Sequence, residues 1–526
     1  MSLLWWDIAA ASLAITVSYI LYTRGHAVAL RLPPSPPKDF LLGHARKVPF
    51  YKGWEVYAKW NEEYGDVICT QVLGRSMIVL NSITAARDLL EKRSNTFSDR
   101  PFLPVFIEMG WELMLPIIPY GPRFRKHRRI LHHYFGPQAL SAYQPTQERE
   151  VRKLLRRLLI KPENFITHIH NFIAGTIISV TYGHEIVKEN DPYVELVEEA
   201  AHIVSSSGNV GTTLLDVFPF MRYAPAWLPG MGVKRIIPKA RELVGYVMTH
   251  PLEDLKVKRA KGNAPPCLMN ELLDRYEEMH VIDPEHERDI MYIGATIYAV
   301  FQTKSALTTF FLLMTIYPEV AKKAQEEIDR VVGKDRLPCA EDRNDLPYLN
   351  CVLKEMYRMQ PPAPLGVPHK STQAEEYRGW TIPEGTVAVT NIWLMMRDEK
   401  NFPNPETFMP ERHMAKVKDD PNGTSSAAAS ADATSFVAED DPSSIVFGFG
   451  RRACPGKYFA DSMLWEAAAN VLALFDMRLY TDPETGKTEV PKFEFDDDGI
   501  IAYPKPFKCV IIPRDAKRVD DMTINI

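Results

Sequence analysis

Hydrophobic and polar residues alternate along the chain with two periods, and the helical period covers most of it. Apolar residues three and four positions apart predict a helix over residues 54–64, and the same spacing dominates residues 140–330 between proline-rich joints. Short runs rich in β-branched residues predict strands at 67–72, 77–80, 380–382, 386–389 and 500–513. The pattern therefore predicts a mainly α protein with a small β-rich portion, of the α+β class.

Residues 3–22 form an almost unbroken apolar run in which Asp7 is the only charge. At about 1.5 Å per residue this run spans roughly 30 Å, the thickness of a bilayer core. A cleaved secretory signal usually has a shorter apolar run preceded by basic residues, whereas here Arg24 and Arg31 follow it. We therefore predict a single-pass anchor at residues 1–25, with the rest of the chain facing the cytosol.

Two further segments differ in composition from the rest. Prolines crowd residues 26–40, and because proline fixes φ and lacks an N–H, we expect a stiff, non-helical hinge there. Residues 419–444 are acidic and rich in small residues, which predicts a mobile loop. Residues 41–526 outside this loop show no linker-like break and are expected to form one large domain.

Charge and cysteine content exclude two classes of protein. The formal net charge of −5 argues against binding to nucleic acid. Six cysteines in 526 residues, without a CxxC pair, are too sparse for a disulfide scaffold or a zinc site. A reducing compartment fits this composition best.

The segment 445–456, IVFGFGRRACPG, precedes an apolar stretch from residue 458 to residue 475 that predicts a helix. A predicted short strand, glycines and a helix could form a dinucleotide fingerprint, but that site needs a βαβ unit, and too little chain follows. The other interpretation is a metal–thiolate loop, in which glycines let the backbone bend around the sulfur of Cys454. Arg452 could offer donors to a cofactor carboxylate, and a lone cysteine can be the proximal ligand of a haem.

At this segment the sequence resembles the cytochrome P-450 haem-thiolate monooxygenases, whose signature is FxxGxRxCxG. Phe447, Gly450, Arg452, Cys454 and Gly456 match it without exception. The resemblance implies the cytochrome P-450 fold, haem b (heme b) as cofactor and Cys454 as the ligand of its iron. The anchor followed by a proline hinge is the arrangement of the microsomal branch, which implies residence in the endoplasmic reticulum membrane.

Other family motifs imply a structural network behind the haem. Glu355 and Arg358 match the ExxR motif and lie three residues apart, so they can pair on one helix face. Arg412 lies in the segment PERH, which resembles the family's PERF segment, and its guanidinium is expected to complete the network.

Two cations outside the cysteine loop are expected to reach the haem propionates. Arg128 sits where the family has WxxxR, although Phe124 replaces the tryptophan and loses its indole N–H donor. His369 resembles the basic residue on the strand that follows the ExxR helix.

The oxygen-activating helix departs from the family pattern (A/G)Gx(D/E)T(T/S). In the candidate helix 291–317 an ungapped alignment places Phe301 at the position of the family's acidic residue and Gln302 at that of its hydroxyl-bearing residue. A one-residue shift places Gln302 on the acid and Thr303 on the hydroxyl. No carboxylate is present in either register, and Thr303 and Gln302 remain the candidates for positioning a proton-relaying water.

The predicted activity is insertion of one atom of O2 into a hydrophobic small molecule of moderate size. The resemblance to fungal enzymes of secondary metabolism suggests a terpenoid, aromatic or alkaloid intermediate. Because the acid is missing, a haem-thiolate isomerase or peroxygenase and a non-catalytic haem protein stay open as alternatives. The pocket residues implied by the family are Phe102, Phe106, Ile117, Ile118, Phe301, Ala363, Leu365 and Val367.

No flavin- or nicotinamide-binding part is present, so the resemblance implies an NADPH–cytochrome P-450 reductase as electron donor. A basic patch on an otherwise acidic protein could steer such a partner. Its expected members are Arg125, Lys126, Arg129, Arg451 and Lys457.

Overall fold

The structure is a computed structural model that describes residues 31–40, 42–186, 191–206, 215, 219–228, 231–280, 283–298, 302–414 and 441–523. The predicted anchor 1–25 and most of the predicted acidic loop 419–444 lie outside these residues.

The described chain contains far more helix than strand, which confirms the predicted α+β class. They are α1 (Gly53–Tyr64), α2 (Ile83–Ala86), α3 (Pro104–Glu108), α4 (Pro122–Phe135), α5 (Gln144–Ile160), α6 (Phe165–Tyr182), α7 (Pro192–Ser206), α8 (Ile237–Ala260), α9 (Leu268–Glu278), α10 (Pro284–Tyr298), α11 (Gln302–Ile316), α12 (Pro318–Val331), α13 (Pro347–Met359), α14 (Ile392–Met395), α15 (Pro442–Ile445), α16 (Lys457–Leu474) and α17 (Ala516–Thr523).

The strands form small sheets at the edge of the helical body. They are β1 (Val67–Val72), β2 (Arg75–Leu80), β3 (His369–Lys370), β4 (Glu375–Tyr377), β5 (Trp380–Ile382), β6 (Val387–Thr390), β7 (Phe475–Thr481), β8 (Thr488–Glu489), β9 (Phe495–Asp498), β10 (Ile501–Pro504) and β11 (Cys509–Pro513). The largest sheet has the order β1-β2-β6-β3, and in it β2 and β6 run parallel. Although β5 and β6 are close in sequence, β5 pairs with β4 in a separate sheet.

The core sits where α10, α11 and α16 pass through the body. The segment Pro284–Ile316 is long and apolar enough to cross a membrane, but 86% of its most apolar window is buried inside the protein, as in a core helix. Helix α16 is apolar on nearly all sides and is buried over most of its length, which is expected of a helix enclosed by others.

The proline-rich segment packs onto the body at the start of β1. Residues 31–38 have no regular secondary structure, and Pro33 and Pro36 are buried. The N–H of Cys69 donates to the carbonyl of Pro34 at 2.8 Å, and Nε2 of His44 donates to the carbonyl of Pro36 at 2.8 Å. The segment is therefore non-helical and bound to the sheet.

The segment in front of the cysteine loop lacks the strand that a dinucleotide site would need. Instead, α15 ends at Ile445 and the chain turns directly into the loop. Asp441 caps this short helix by accepting a hydrogen bond from the N–H of Ser443 at 2.8 Å. The βαβ geometry of a dinucleotide site is therefore absent from the described residues around the loop.

Candidate active site

A large cavity brings the predicted site residues together. Its empty space, counted together with the open solvent at its mouth, is about 1330 Å³. Its walls come from α4, α10, α11, α16, the cysteine loop and the chain between α13 and β3. Phe447, Arg452, Cys454, Gly456, Arg128, His369 and Thr303 of the predicted site all line it.

The cysteine loop is shaped by its glycines. Gly448 and Gly450 have φ values of 79° and 57°, a region that residues with a Cβ rarely adopt. A Cβ on Gly450 would lie 2.1 Å from the carbonyl oxygen of Leu90, so only glycine fits between the loop and this neighbouring backbone. The N–H of Cys454 donates to the carbonyl of Phe447 at 2.8 Å and closes the loop around the sulfur.

The thiol of Cys454 faces the cavity, just before α16 begins. Burial raises its pKa above the ordinary value, while the N–H of Gly456 and the positive charges of Arg128 and Lys457 act in the opposite direction. The described residues contain no group of three or more His, Cys, Asp or Glu side chains that could hold a metal by themselves. A lone sulfur ligand therefore fits an iron whose other ligands come from a porphyrin.

Cationic side chains line the cavity near the thiol. Arg452 donates from Nε to the carbonyl of Ser98 at 2.7 Å, from Nη1 to that of Leu115 at 3.1 Å and from Nη2 to that of Ile118 at 2.8 Å. Burial lowers the pKa of Arg452 to about 10, so it stays charged at neutral pH. Its guanidinium lies 3.8 Å from the ring centroid of Phe124, so the replacement for tryptophan supports this arginine by stacking.

Sequence reasoning missed Arg100, a second buried guanidinium on this wall. Its Nη1 donates to the carbonyls of Val367 at 2.8 Å and Pro368 at 2.6 Å, while its Nε has no hydrogen-bond partner among the described residues. Arg128 donates from Nη1 to the carbonyl of Ala453, beside the thiol. No Asp or Glu is among the described residues that line the cavity. Several buried cations without a carboxylate fit the two propionates of a haem.

His369 lies on the same wall, but its imidazole does not carry the positive charge expected of a basic residue at this position. Its Nδ1–H donates to the carbonyl of Phe97 at 2.7 Å. Burial and the neighbouring charge of Arg100 hold the pKa of His369 well below its usual range, so the imidazole is neutral. Positive charge on this wall therefore comes from the arginines.

Thr303 stands on the cavity wall formed by α11. Its side chain is buried, and its hydroxyl makes no hydrogen bond with any described residue. A smaller cavity, which shares walls with the first, is lined by both Thr303 and Cys454. The side chain of Gln302 and all of Phe301 lie outside the described residues. Thr303 therefore lies on a cavity that Cys454 also lines, and the choice between the two registers stays a prediction.

The predicted structural network lies behind the cysteine loop and is fully buried at its centre. Arg358 donates from Nε and Nη2 to the carboxylate of Glu355 at 2.8 and 3.0 Å. Arg412 donates from Nε to the same carboxylate at 3.0 Å, and His413, which sequence reasoning did not include, contacts it at 2.7 Å. These donors hold the pKa of Glu355 at about 2 despite its burial, so the carboxylate is ionised.

The substrate side of the cavity was predicted only in part. Ala363 and Val367 line it as expected, whereas Phe102 is 50% exposed and lies outside the wall. Phe106, Ile117, Ile118 and Leu365 are also absent from the described lining. The residues that sequence reasoning missed there are Leu115, Pro116, Thr296 and Ile297.

Lys126 does not contribute a free charge to the expected basic patch. Lys126 donates to Oδ2 of the buried Asp289 at 2.7 Å, so its charge is already paired. Arg125, Arg129 and Arg451 line a surface pocket with His132, Tyr120, Phe124 and Arg128. Lys457 lies beside the ring of Tyr458, with its Nζ 4.7 Å from the centroid.

Comparison with known proteins agrees with this geometry. The family model described as Cytochrome P450 matches residues 33–509. Cytochrome P450 monooxygenase 136 of Postia placenta is 37% identical over 489 residues, which cover 92% of this chain and 89% of that protein. Cytochrome P450 monooxygenase ple1 of Rhodocybe pseudopiperita is 38% identical, covering 92% and 90%. Cytochrome P450 monooxygenase claR of Ampulloclitocybe clavipes is 35% identical, covering 94% and 89%.

The predicted family, the cytochrome P450 fold, the haem cofactor and the oxidoreductase class are thereby confirmed. The chain belongs to the cytochrome P450 family of haem-thiolate monooxygenases.

Proposed function

We propose that this enzyme inserts one oxygen atom from O2 into a hydrophobic small molecule made in fungal secondary metabolism, of terpenoid, aromatic or alkaloid type. The observation that carries the proposal is the lining of the cavity. Apart from the arginines, its described walls are mostly apolar, with Leu115, Pro116, Ile297, Ala363 and Val367, and they include Thr303, whose hydroxyl bonds to no described residue. Such a wall binds apolar surface, and the Thr303 hydroxyl is a polar group on a cavity that Cys454 also lines.

Each functional side chain then has a defined task. Haem supplies the iron centre at which O2 is activated. Cys454 provides the thiolate ligand, and the guanidinium groups of Arg100, Arg128 and Arg452 would hold the carboxylates. The Thr303 hydroxyl holds a water at its Oγ1 and passes a proton through it, which substitutes for the missing acid. The apolar walls exclude bulk water from the substrate.

The electron donor that we propose is a membrane-bound NADPH–cytochrome P450 reductase. The surface pocket with Arg125, Arg129 and Arg451 supports this assignment, because its charges suit an acidic partner. Arg128 lines both this pocket and the haem cavity, so the proposed docking site lies close to the thiolate.

The proposed location is the endoplasmic reticulum membrane. The apolar run at residues 3–22, followed by basic residues, supports a single-pass anchor with the catalytic domain in the cytosol. Fusing residues 1–40 to a reporter tests this proposal. Membrane-pelleted, cytosol-accessible reporter is expected, and a secreted or fully soluble reporter would contradict it.

The first experiment is the absorption spectrum of the reduced, carbon-monoxide-bound protein. We expect a strongly red-shifted Soret band in the wild type and its loss in Cys454→Ser. Cys351→Ser is the matched control, because Cys351 is buried away from the cavity and should keep the band. A Cys454→Ser variant that kept the band would refute the ligand assignment.

The second experiment tests the reaction class and the role of Thr303. A panel of terpenoids, aromatics and alkaloids is screened for haem spectral shifts, and hits are incubated with and without reductase and NADPH. We expect an oxygenated product only with the reductase, whereas turnover without it would indicate an isomerase or peroxygenase. Thr303→Val should raise the amount of hydrogen peroxide released per molecule of product. Thr309→Val should leave this ratio unchanged, because the Thr309 hydroxyl bonds within its own helix at 2.8 Å.

A further inference from the structure

One face of α10 is tied to the chain segment 110–118, which runs along the cavity. The Tyr292 hydroxyl donates to the carbonyl of Gly110 at 2.9 Å. One helical turn later, the Thr296 hydroxyl accepts from the N–H of Leu115 at 3.2 Å and donates to the carbonyl of Tyr292 at 2.7 Å. The spacing of four residues places Tyr292 and Thr296 on the same side of the helix.

The same segment holds the guanidinium of Arg452. Nη1 of Arg452 donates to the carbonyl of Leu115, and its Nη2 donates to that of Ile118. Leu115 is therefore hydrogen-bonded on both sides, through its N–H to α10 and through its carbonyl to an arginine two residues from Cys454. These bonds form a continuous connection from Thr296 to the cysteine loop.

The segment is stiff enough to carry this connection. Its backbone makes successive turns, in which the N–H of Met114 donates to the carbonyl of Trp111 at 3.1 Å and that of Ile118 donates to Met114 at 2.9 Å. Arg288 adds a third link from α10, to Glu112 at 2.6 Å, but both side chains are partly exposed, so this pair contributes little. A displacement at Leu115 therefore moves Ile118 as well.

We propose that Thr296 and Tyr292 are positioning residues for Arg452, and that they secure the haem without touching its carboxylates. The inference rests on the proposed contact between Arg452 and a haem carboxylate. Leu115 and Pro116 also line the cavity itself. A substrate that contacts them therefore acts on the segment that holds Arg452, which couples substrate binding to the charge beside the thiolate.

Three variants and one control test the proposal in the haem-loaded protein. Thr296→Val keeps the shape but removes the hydroxyl, Thr296→Ser keeps both hydrogen bonds, and Tyr292→Phe removes the bond to Gly110. Thr308→Val is the control, because the Thr308 hydroxyl donates to the carbonyl of Lys304 at 2.8 Å, within its own helix. The red-shifted carbon-monoxide band shows that each variant is folded.

Two measurements are made on these proteins: hydrogen exchange over peptides 110–118, and the rate of haem transfer to excess apomyoglobin. Loss of one hydrogen bond should raise both rates about fivefold in Thr296→Val and Tyr292→Phe. Thr296→Ser and the Thr308→Val control should match the wild type. Tyr292 does not line the cavity, so its effect on haem transfer must pass through the segment.

The variant Arg452→Lys tests separately whether Arg452 binds a haem carboxylate and whether Thr296 and Tyr292 position it. If Arg452→Lys accelerates haem transfer while Thr296→Val and Tyr292→Phe do not, the positioning role is refuted and the arginine role stands. If Arg452→Lys leaves haem transfer unchanged, the arginine role fails and the inference falls with it. If Thr296→Ser is as fast as Thr296→Val, the hydroxyl is not the cause and the inference is also overturned.

Discussion

Glu466 is a buried acid whose ionisation is opposed by the protein around it. It lies in α16, the helix that begins after the cysteine loop, and it is 2% exposed. Its Oε2 accepts no hydrogen bond from any described residue. Burial raises the pKa of Glu466 from 4.5 to about 8, and the charges of Glu148 and Glu341 act in the same direction, against Arg152.

The raised pKa of Glu466 determines how the stability of the folded protein changes with pH. Between about pH 4.5 and pH 8 the unfolded chain carries an ionised Glu466 while the folded protein must keep it protonated, so stability falls as pH rises through this window. At about 1.4 kcal/mol per pH unit, the cost at pH 7 is at most roughly 4 kcal/mol. Glu466→Gln keeps the neutral shape and removes this cost.

The assay is chemical unfolding of the haem-loaded wild type and Glu466→Gln between pH 5 and pH 8. We expect the variant to be the more stable protein, with a gap that widens toward pH 8. Glu326→Gln is the control, because Glu326 is exposed on α12 and its replacement should change stability by less than about 0.5 kcal/mol. A gap that stays constant or narrows toward pH 8 would show that the folded protein ionises Glu466 readily, contrary to the reasoning.

Three further perturbations have defined outcomes. Gly450→Ala should abolish haem incorporation, measured by the carbon-monoxide spectrum, because its Cβ would meet the Leu90 carbonyl at 2.1 Å; a normal spectrum would contradict this. Paired cations hold the pKa of buried Asp289 below its usual range, so Asp289→Asn should cost about 3 kcal/mol at pH 7. That deficit in unfolding free energy should shrink as pH falls below about 4, because the unfolded acid then takes up a proton that the native carboxylate, held ionised by its cations, does not. Arg100→Met should stabilise the haem-free protein yet speed haem loss, and a destabilised haem-free variant would refute the reasoning.

Features that depend on neighbouring residues were predictable from the sequence. The β1–β2 hairpin follows from alternation on either side of a glycine turn, and the helix 54–64 from its apolar spacing. The pairing of Glu355 with Arg358 follows from a separation of three residues on one helix. The cysteine loop was recognisable because its glycines and cysteine occur at fixed spacing within one short segment.

Features that depend on distant contacts were not predictable. Arg100 reaches the carbonyls of Val367 and Pro368, and no local pattern links these positions. Lys126 was assigned to a free basic patch because its partner, Asp289, lies 163 residues further along the chain. Phe102 was placed in the pocket by analogy, although its side chain faces outward.

The way in which the buried arginines are held explains why the cavity suits a haem. Arg100 and Arg452 donate to backbone carbonyls, which accept hydrogen bonds from the guanidinium groups without neutralising their charge. A protein carboxylate in the same place would cancel the charge and compete with the cofactor. Unneutralised charge in an apolar wall destabilises the haem-free fold, and the cofactor's carboxylates remove that penalty on binding. Burying these cations thus lowers the stability of the haem-free protein and raises its affinity for haem by a related amount. Cofactor binding and folding are therefore coupled through the same two side chains.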